Sequence, residues 1–316
     1  MILQTQIPIA KEAYNPIKYQ SKILLLGSCF SESIGNILAH YKFQTTQNPF
    51  GILFHPKAIE SLITNAINEK KYTDKDLFFL NERWHCFEAH SSLSSANKEE
   101  LLNDLNQQIK TTNKQLLESS HIIITLGTSW MYRFIETDTI VANCHKVPQK
   151  KFLKEVLSVD KVAESLEATI TLIKSINPNI TTLLTVSPVR HLKDGFTQNQ
   201  QSKSHLISAI HQIVKSRERI HYFPSYEIMM DELRDYRFYA EDMIHPNTTA
   251  INYIWERFSE TWISEDSKET MKEISAIQNG SNHRPFNSNS EQHQQFLAAL
   301  ELKIIKMTER YPFMDF

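Results

Sequence analysis

The sequence predicts an α/β protein in which a parallel sheet is covered by helices on both faces. Three observations point there. Short, unbroken apolar runs at 22–26, 121–126, 180–186 and 220–223 read as strands buried on both sides. Amphipathic segments of helical length separate them, so strand and helix alternate along the chain. Three of the runs end on turn formers that carry polar groups: Gly27-Ser28-Cys29, Gly127-Thr128-Ser129 and Ser187-Pro188. In a parallel sheet, reacting groups gather beyond the carboxyl ends of the strands.

In order, the strand 22–26 is closed by Gly27. A helix over 31–41 follows, with Ile34, Ile37 and Leu38 on one face and Ser31 as its N-cap. Asn48-Pro49-Phe50-Gly51 reads as a turn. Helices over 56–70, through Ile59, Leu62, Ile63, Ala66 and Ile67, and over 98–118 precede the strand 121–126. A helix over 158–176 is stopped by Asn177-Pro178. The strand 180–186, a helix over 202–215, the strand 220–223 and a helix over 248–262 complete the alternation. Beyond it, 264–290 is polar and reads as loop, with Asn279-Gly280-Ser281-Asn282 as a break. A terminal helix spans 294–307 through Phe296, Leu297, Leu300, Ile304 and Ile305. Residues 1–263 are expected to form one domain, with 264–316 a loop and helix packed on it.

A chain of 316 residues can bury a sizeable core. Hydrophobic residues make up 41% and charged residues 22%, as in ordinary soluble globular proteins. A formal net charge of -2 argues against broad electrostatic binding to nucleic acid or to an anionic membrane. No apolar stretch approaches the roughly 20 residues of a membrane span. The first residues lack the basic start and apolar core of a secretory signal. Three cysteines cannot all pair with one another, so a reduced, cytoplasmic setting is expected. Neither G-x-G-x-x-G nor a Walker loop occurs, and no cofactor is expected.

Two distant segments carry the chemistry. The segment 24–33 is a strand that stops at a glycine turn and presents the Ser28 hydroxyl and the Cys29 thiol. The segment 241–247 places Asp242 three residues before His245, which is followed by Pro246. Together they offer a nucleophile, a general base and a carboxylate to orient the base, which is the logic of acyl transfer. A thiol needs less activation than a hydroxyl, and a following helix N-terminus favours its anion.

These residues resemble the GSCFA family, a branch of the SGNH (GDSL-type) hydrolase superfamily. Residues 27–30 read G-S-C-F, with Ser31 where the family signature ends in Ala, and Asp242, His245 and Pro246 fit its D-x-x-H-P block. Segments 126–130, 142–146, 186–191 and 283–286 resemble further family blocks. The resemblance implies a three-layer α/β/α sandwich of the SGNH, flavodoxin-like kind with a C-terminal helical extension. It implies an esterase that cleaves a small acyl ester through an acyl-enzyme, with acetyl on a carbohydrate or similar alcohol as the example. An acyltransferase, or a ligand-binding protein that keeps the fold without catalysis, are the other readings.

The third position of the superfamily's G-D-S motif falls on Cys29, and Ser28 stands where Asp is usual. Either Cys29 attacks, or Ser28 attacks and Cys29 packs. The oxyanion is expected to meet a backbone N–H at the nucleophile, the N–H of Gly51 in the turn begun by Asn48, and an Asn from a G-x-N-D block. That block reads Gly127-Thr128-Ser129-Trp130 here, so Ser129, or Asn143 from a neighbouring segment, would have to replace the Asn. Loss of one such donor typically lowers rate about 100- to 1000-fold. His145 is expected at the pocket mouth or in core hydrogen bonds, and Arg190 against an anionic or sugar substrate or in a structural role. The Cys and His residues of 84–90, 144–145 and 191 fit no zinc-binding spacing, so no metal site is assigned.

Overall fold

The computed structural model describes residues 5–214, 219–287 and 290–316. The chain begins with β1 (Lys22–Gly27), α1 (Cys29–His40), β2 (Gln44–Gln47) and α2 (Pro56–Ile67). A hairpin of β3 (Phe78–Leu80) and β4 (Arg83–His85) leads to α3 (Lys98–Glu118) and β5 (His121–Leu126). Next come β6 (Trp130–Phe134), β7 (Thr139–Val141) and β8 (Phe152–Val156), then α4 (Val159–Ile176), β9 (Thr181–Val186), α5 (Phe196–Val214) and β10 (Ile220–Phe223). A short α6 (Ser225–Glu227) runs into a π-helical turn, Ile228–Glu232. Three helices close the chain: α7 (Thr248–Trp262), α8 (Glu265–Ser281) and α9 (Glu291–Arg310).

The central sheet has the order β10-β9-β5-β1-β2, with every pairing parallel. Successive side chains of a strand point to opposite faces, and this divides the core in two. Leu24, Leu26, Ile122, Ile124, Leu184 and Val186 pack with α2, α3, α4 and α5. Ile23, Leu25, Ile123, Leu183 and Phe223 pack with α1, α7, α8 and α9. This is the expected α/β/α sandwich. Burying one such side chain contributes about 1.5–3 kcal/mol, which is why strands buried on both faces carry unbroken apolar runs. Among the described residues no helix is long and apolar enough to cross a membrane.

The register fixes where the site lies. Gly27 pairs with Thr125, and Leu126 pairs with Val186, so β1, β5 and β9 end level with one another. Counted along the sheet, the parallel strands follow the order 2-1-3-4-5, whose direction switches between β1 and β5. Such a switch point opens a crevice at the carboxyl ends of its strands.

Several expectations are corrected. Helix α1 starts at Cys29, not Ser31, because the Ser28 hydroxyl caps it by accepting the Phe30 N–H at 3.3 Å. Ser31 is buried inside the helix, its hydroxyl 3.3 Å from the Leu26 carbonyl and 3.2 Å from the Thr125 hydroxyl. The helix expected over 202–215 begins earlier, at Phe196. Most of 264–290 is the helix α8, capped by Ser264, with Thr270, Met271, Ile274 and Ile277 buried along one stripe. Gly280 lies inside that helix, where a Cβ would sit 2.8 Å from the Leu300 side chain, so its role is close approach to α9. The antiparallel sheet β7-β6-β8 was not expected and forms a wall beside the crevice. The C-terminal segment buries Leu300, Met307 and Met314 in the same cluster as Tyr19 and Trp255.

Candidate active site

The turn after β1 is held from three sides. Gly27 has φ +136, and a Cβ there would lie 2.1 Å from the Thr125 carbonyl oxygen, so no larger residue fits this path. Its N–H donates to Asn48 Oδ1 at 2.9 Å, and its carbonyl accepts the Leu53 N–H at 3.1 Å. Ser28 is therefore fixed as the N-cap, with 2% of its surface exposed. Cys29 is the first helical residue and is partly exposed. Burial raises the Cys29 pKa, and the Glu32 carboxylate raises it further, while backbone N–H groups and the Lys203 charge oppose them. The thiol accordingly keeps its proton at neutral pH and needs a base to remove it.

The base stands on a tight loop before α7. Tyr239 and Pro246 bridge its two sides, and the Ala240 N–H donates to the His245 carbonyl at 2.7 Å. Met243 takes a left-handed conformation, φ 57. Asp242 Oδ1 accepts the N–H groups of Ile244 and His245 at 2.9 and 3.0 Å. Its Oδ2 lies 2.6 Å from His245 Nδ1. The His245 backbone and side-chain hydrogen bonds, with that of Ile244, hold the Asp242 carboxyl down at about 2. An ionised carboxylate only accepts, so Nδ1 carries the imidazole proton and Nε2 is left as the acceptor. Arg190 braces the loop: its N–H donates to the Ile244 carbonyl at 3.1 Å, and its guanidinium lies 3.9 Å from the Tyr239 ring centroid.

A cavity of about 460 Å³ opens over these elements, and it brings Ser28, Cys29, Asn143, Arg190 and His245 together. Trp130 and Tyr132 of β6 give it aromatic walls. Lys154 of β8 pairs with Asp194 beside it. Asn143 Oδ1 accepts the His145 N–H at 2.9 Å, which leaves its Nδ2 without a partner among the described residues.

Asp242 reaches the cavity through His245. Four other candidates lie off its lining. The Gly51 N–H donates to the Asn48 carbonyl at 2.7 Å inside the turn, and the place of its missing side chain is filled by His90. Asn48 clamps the Gly27 turn through the bond described above. Ser129 is fully buried; its N–H donates to the Ser202 hydroxyl at 2.7 Å, and its own hydroxyl has no partner among the described residues. His145 donates from Nε2 to the Cys86 carbonyl at 2.7 Å and packs against His85, and burial lowers it to about 4.

Three further residues belong to the site. His55 caps α2 by accepting the Ala58 N–H on Nδ1 at 3.2 Å, so Nε2 carries the proton and donates to the Val141 carbonyl at 3.1 Å. Burial keeps it neutral down to about 4. It ties the helix to the cavity wall.

Lys203 of α5 is completely buried, and its Nζ donates to the carbonyls of Gly127 and Ser187, both at 2.7 Å. It thereby joins the ends of β5 and β9. Burial, with no carboxylate bonded to it, lowers its pKa to about 7.

His191 lines the cavity between Gly127 and Phe54, its ring 5.6 Å from the Phe54 ring. Lys203 had a signal in the sequence: with Asn199, Leu206, Ile210 and Ile213 it lies on the buried stripe of α5, where a lysine is out of place. His191 stands beside Arg190 just after the strand 180–186, in one of the segments that resemble the family, and His55 had no signal beyond its residue type. Among the described residues no group of three His, Cys, Asp or Glu side chains is placed to hold a metal ion.

The family model described as the GSCFA family matches residues 22–258. That of the GSCFA domain protein C-terminal domain matches residues 274–316. No curated protein matches the chain significantly. Among solved structures, a carbohydrate esterase family 3 protein from Talaromyces cellulolyticus is similar at 8% identity and TM-score 0.37, over 81% of this chain and 99% of its own. A family 3 carbohydrate esterase from Clostridium thermocellum is similar at 10% identity and TM-score 0.35, over 81% of this chain and 98% of its own.

Proposed function

The chain belongs to the GSCFA family, and we propose that it is a hydrolase that cleaves small acyl esters through an acyl-enzyme on Cys29. The observation that carries the reading is the common cavity of Cys29 and His245, with His245 oriented by Asp242. His245 Nε2 takes the thiol proton as the sulfur attacks the ester carbonyl. The tetrahedral intermediate collapses, and His245 returns the proton to the leaving alcohol. Water, activated by the same imidazole, then releases the acid. Ser28 supports the reaction as the helix cap: its oxygen is engaged by the Phe30 N–H, whereas the Cys29 sulfur is partly open to the cavity. The Cys29 N–H, at the start of α1 where a helix leaves its first N–H groups without intrahelical acceptors, is one donor available to the oxyanion. Trp130 and Tyr132 line the cavity with the Lys154 ammonium over both rings, and a carbohydrate ester with acetyl as the acyl group is the substrate that the family resemblance suggests.

Hydrolysis of p-nitrophenyl acetate by the wild type and by Cys29→Ala, Ser28→Ala and His245→Ala tests this. Loss in Cys29→Ala and in His245→Ala, with activity kept in Ser28→Ala, is the expected result. Turnover that survives both of the first two changes excludes the mechanism.

A further inference from the structure

Ester cleavage needs side-chain or backbone donors aimed at the carbonyl oxygen as it becomes negative. In the segment after β5, Ser129 is buried off the cavity lining, and Thr128, which lines it, has its hydroxyl engaged with the Ser202 hydroxyl at 2.8 Å and the Trp130 N–H at 3.1 Å. The space beside Gly127 is taken instead by His191. A Cβ placed on Gly127 would lie 2.9 Å from His191 Nε2, so only glycine admits the imidazole here. That Nε2 is buried and has no hydrogen-bond partner among the described residues. The neighbouring backbone groups are bonded elsewhere: the Gly127 N–H donates to the Phe54 carbonyl at 2.7 Å, and the Gly127 carbonyl accepts from Lys203. A buried polar nitrogen left unpaired costs free energy, and an unpaired one at a site of chemistry calls for a functional account.

We propose that His191, as the neutral imidazole, donates its Nε2–H to the oxyanion formed when Cys29 attacks the ester carbonyl. The proposal rests on the ester-cleavage reading above. In the step, the sulfur–carbon bond forms, the carbonyl π pair moves to oxygen, and the thiol proton passes to His245. His191 keeps its own proton throughout and only hydrogen-bonds. The backbone holds the ring in place, since the His191 N–H donates to Asn199 Oδ1 at 2.8 Å and the ring packs on Phe54. Its surroundings keep it in the required form. Burial lowers its pKa most, the Lys203 and His245 charges lower it further, and Asp194 opposes them, giving about 3. A neutral imidazole can serve as an electrophilic donor.

The test compares His191→Phe with His191→Gln. Both side chains occupy the slot, and only glutamine carries an N–H donor. Two rates are read for each: p-nitrophenyl acetate turnover, and alkylation of Cys29 by iodoacetamide followed by peptide mapping. Alkylation displaces iodide at a saturated carbon and generates no oxyanion. His191→Phe is expected to lower kcat about 100- to 1000-fold with little change in KM and an unchanged alkylation rate, and His191→Gln to recover part of the loss. If kcat in His191→Phe stays within about threefold of wild type, or if turnover and alkylation fall together in both variants, the proposal is overturned. A wild type that turns over no ester removes the ester-cleavage reading and this proposal together. A wild type that is active alongside an equally active His191→Phe removes this proposal alone.

Discussion

Asp242 binds His245 twice, through the backbone N–H to Oδ1 at 3.0 Å and through the imidazole Nδ1–H to Oδ2 at 2.6 Å. One carboxylate therefore sets both the backbone turn and the ring orientation. Both side chains are about half exposed, so the pair adds little to global stability. Its value lies in holding one tautomer with Nε2 free to accept a proton.

Asp242→Asn is expected to lower kcat about 100-fold or more with KM little changed, since the base loses the charge that steadies its protonated form. The thermal midpoint should stay near that of wild type. The ionised turn should also outlast ordinary carboxylates in acid. The folded pKa, about 2, lies below the roughly 3.9 of an unfolded Asp, so its contribution is present above pH of about 4 and is lost as pH falls through about 2. Amide NMR shifts of Ile244 and His245 followed down in pH should titrate near 2; a midpoint near 4 would show that the carboxylate is not held.

Ser28→Ala separates capping from attack. Loss of the N-cap bond to Phe30 should lower stability by about 1 kcal/mol in urea denaturation, while turnover per folded molecule stays within a few-fold of wild type. A collapse of kcat with unchanged stability would assign the attack to the hydroxyl.

Much of this was legible in the sequence, for a physical reason. Strands buried on both faces are rich in apolar and β-branched residues, so the inner strands β1, β5 and β9 stand out as runs, and the edge strand β10, Ile-His-Tyr-Phe, does so through its aromatic residues. Edge strand β2 reads Gln-Thr-Thr-Gln and is only half-buried, so no such run marks it. Helix α8 escaped because its buried stripe is interrupted by polar residues and Gly280 resembled a break, although that glycine serves helix contact. Ser28, Cys29, Asp242 and His245 were visible because each pair is contiguous or nearly so. Lys203 and His191 acquire their surroundings from strand ends far apart in the chain, so residue type alone carried little of their role. Gly51 and Asn48 read as site residues because the turn they make supports the site from beneath.

Lys203→Met should change the pH dependence of stability. The folded pKa of about 7 lies below the roughly 10.4 of an unfolded lysine. The unfolded chain then binds the extra proton between these values, and stability from this group rises with pH across the interval. Relative to Lys203→Met, the wild type should gain stability from pH of about 7 to about 10 and show a flat difference below 7, measured by urea denaturation at each pH. A difference that is flat over the whole range would show a lysine that keeps its proton.

The central claim is that the Cys29 sulfur carries the acyl group. Rapid quenching of the wild type after mixing with p-nitrophenyl acetate, followed by peptide mass mapping in acid, reads this directly. The account predicts an acetyl thioester on Cys29, transient in wild type and missing in Cys29→Ala. Acetyl on Ser28, or continued turnover with Cys29 never modified, would contradict it.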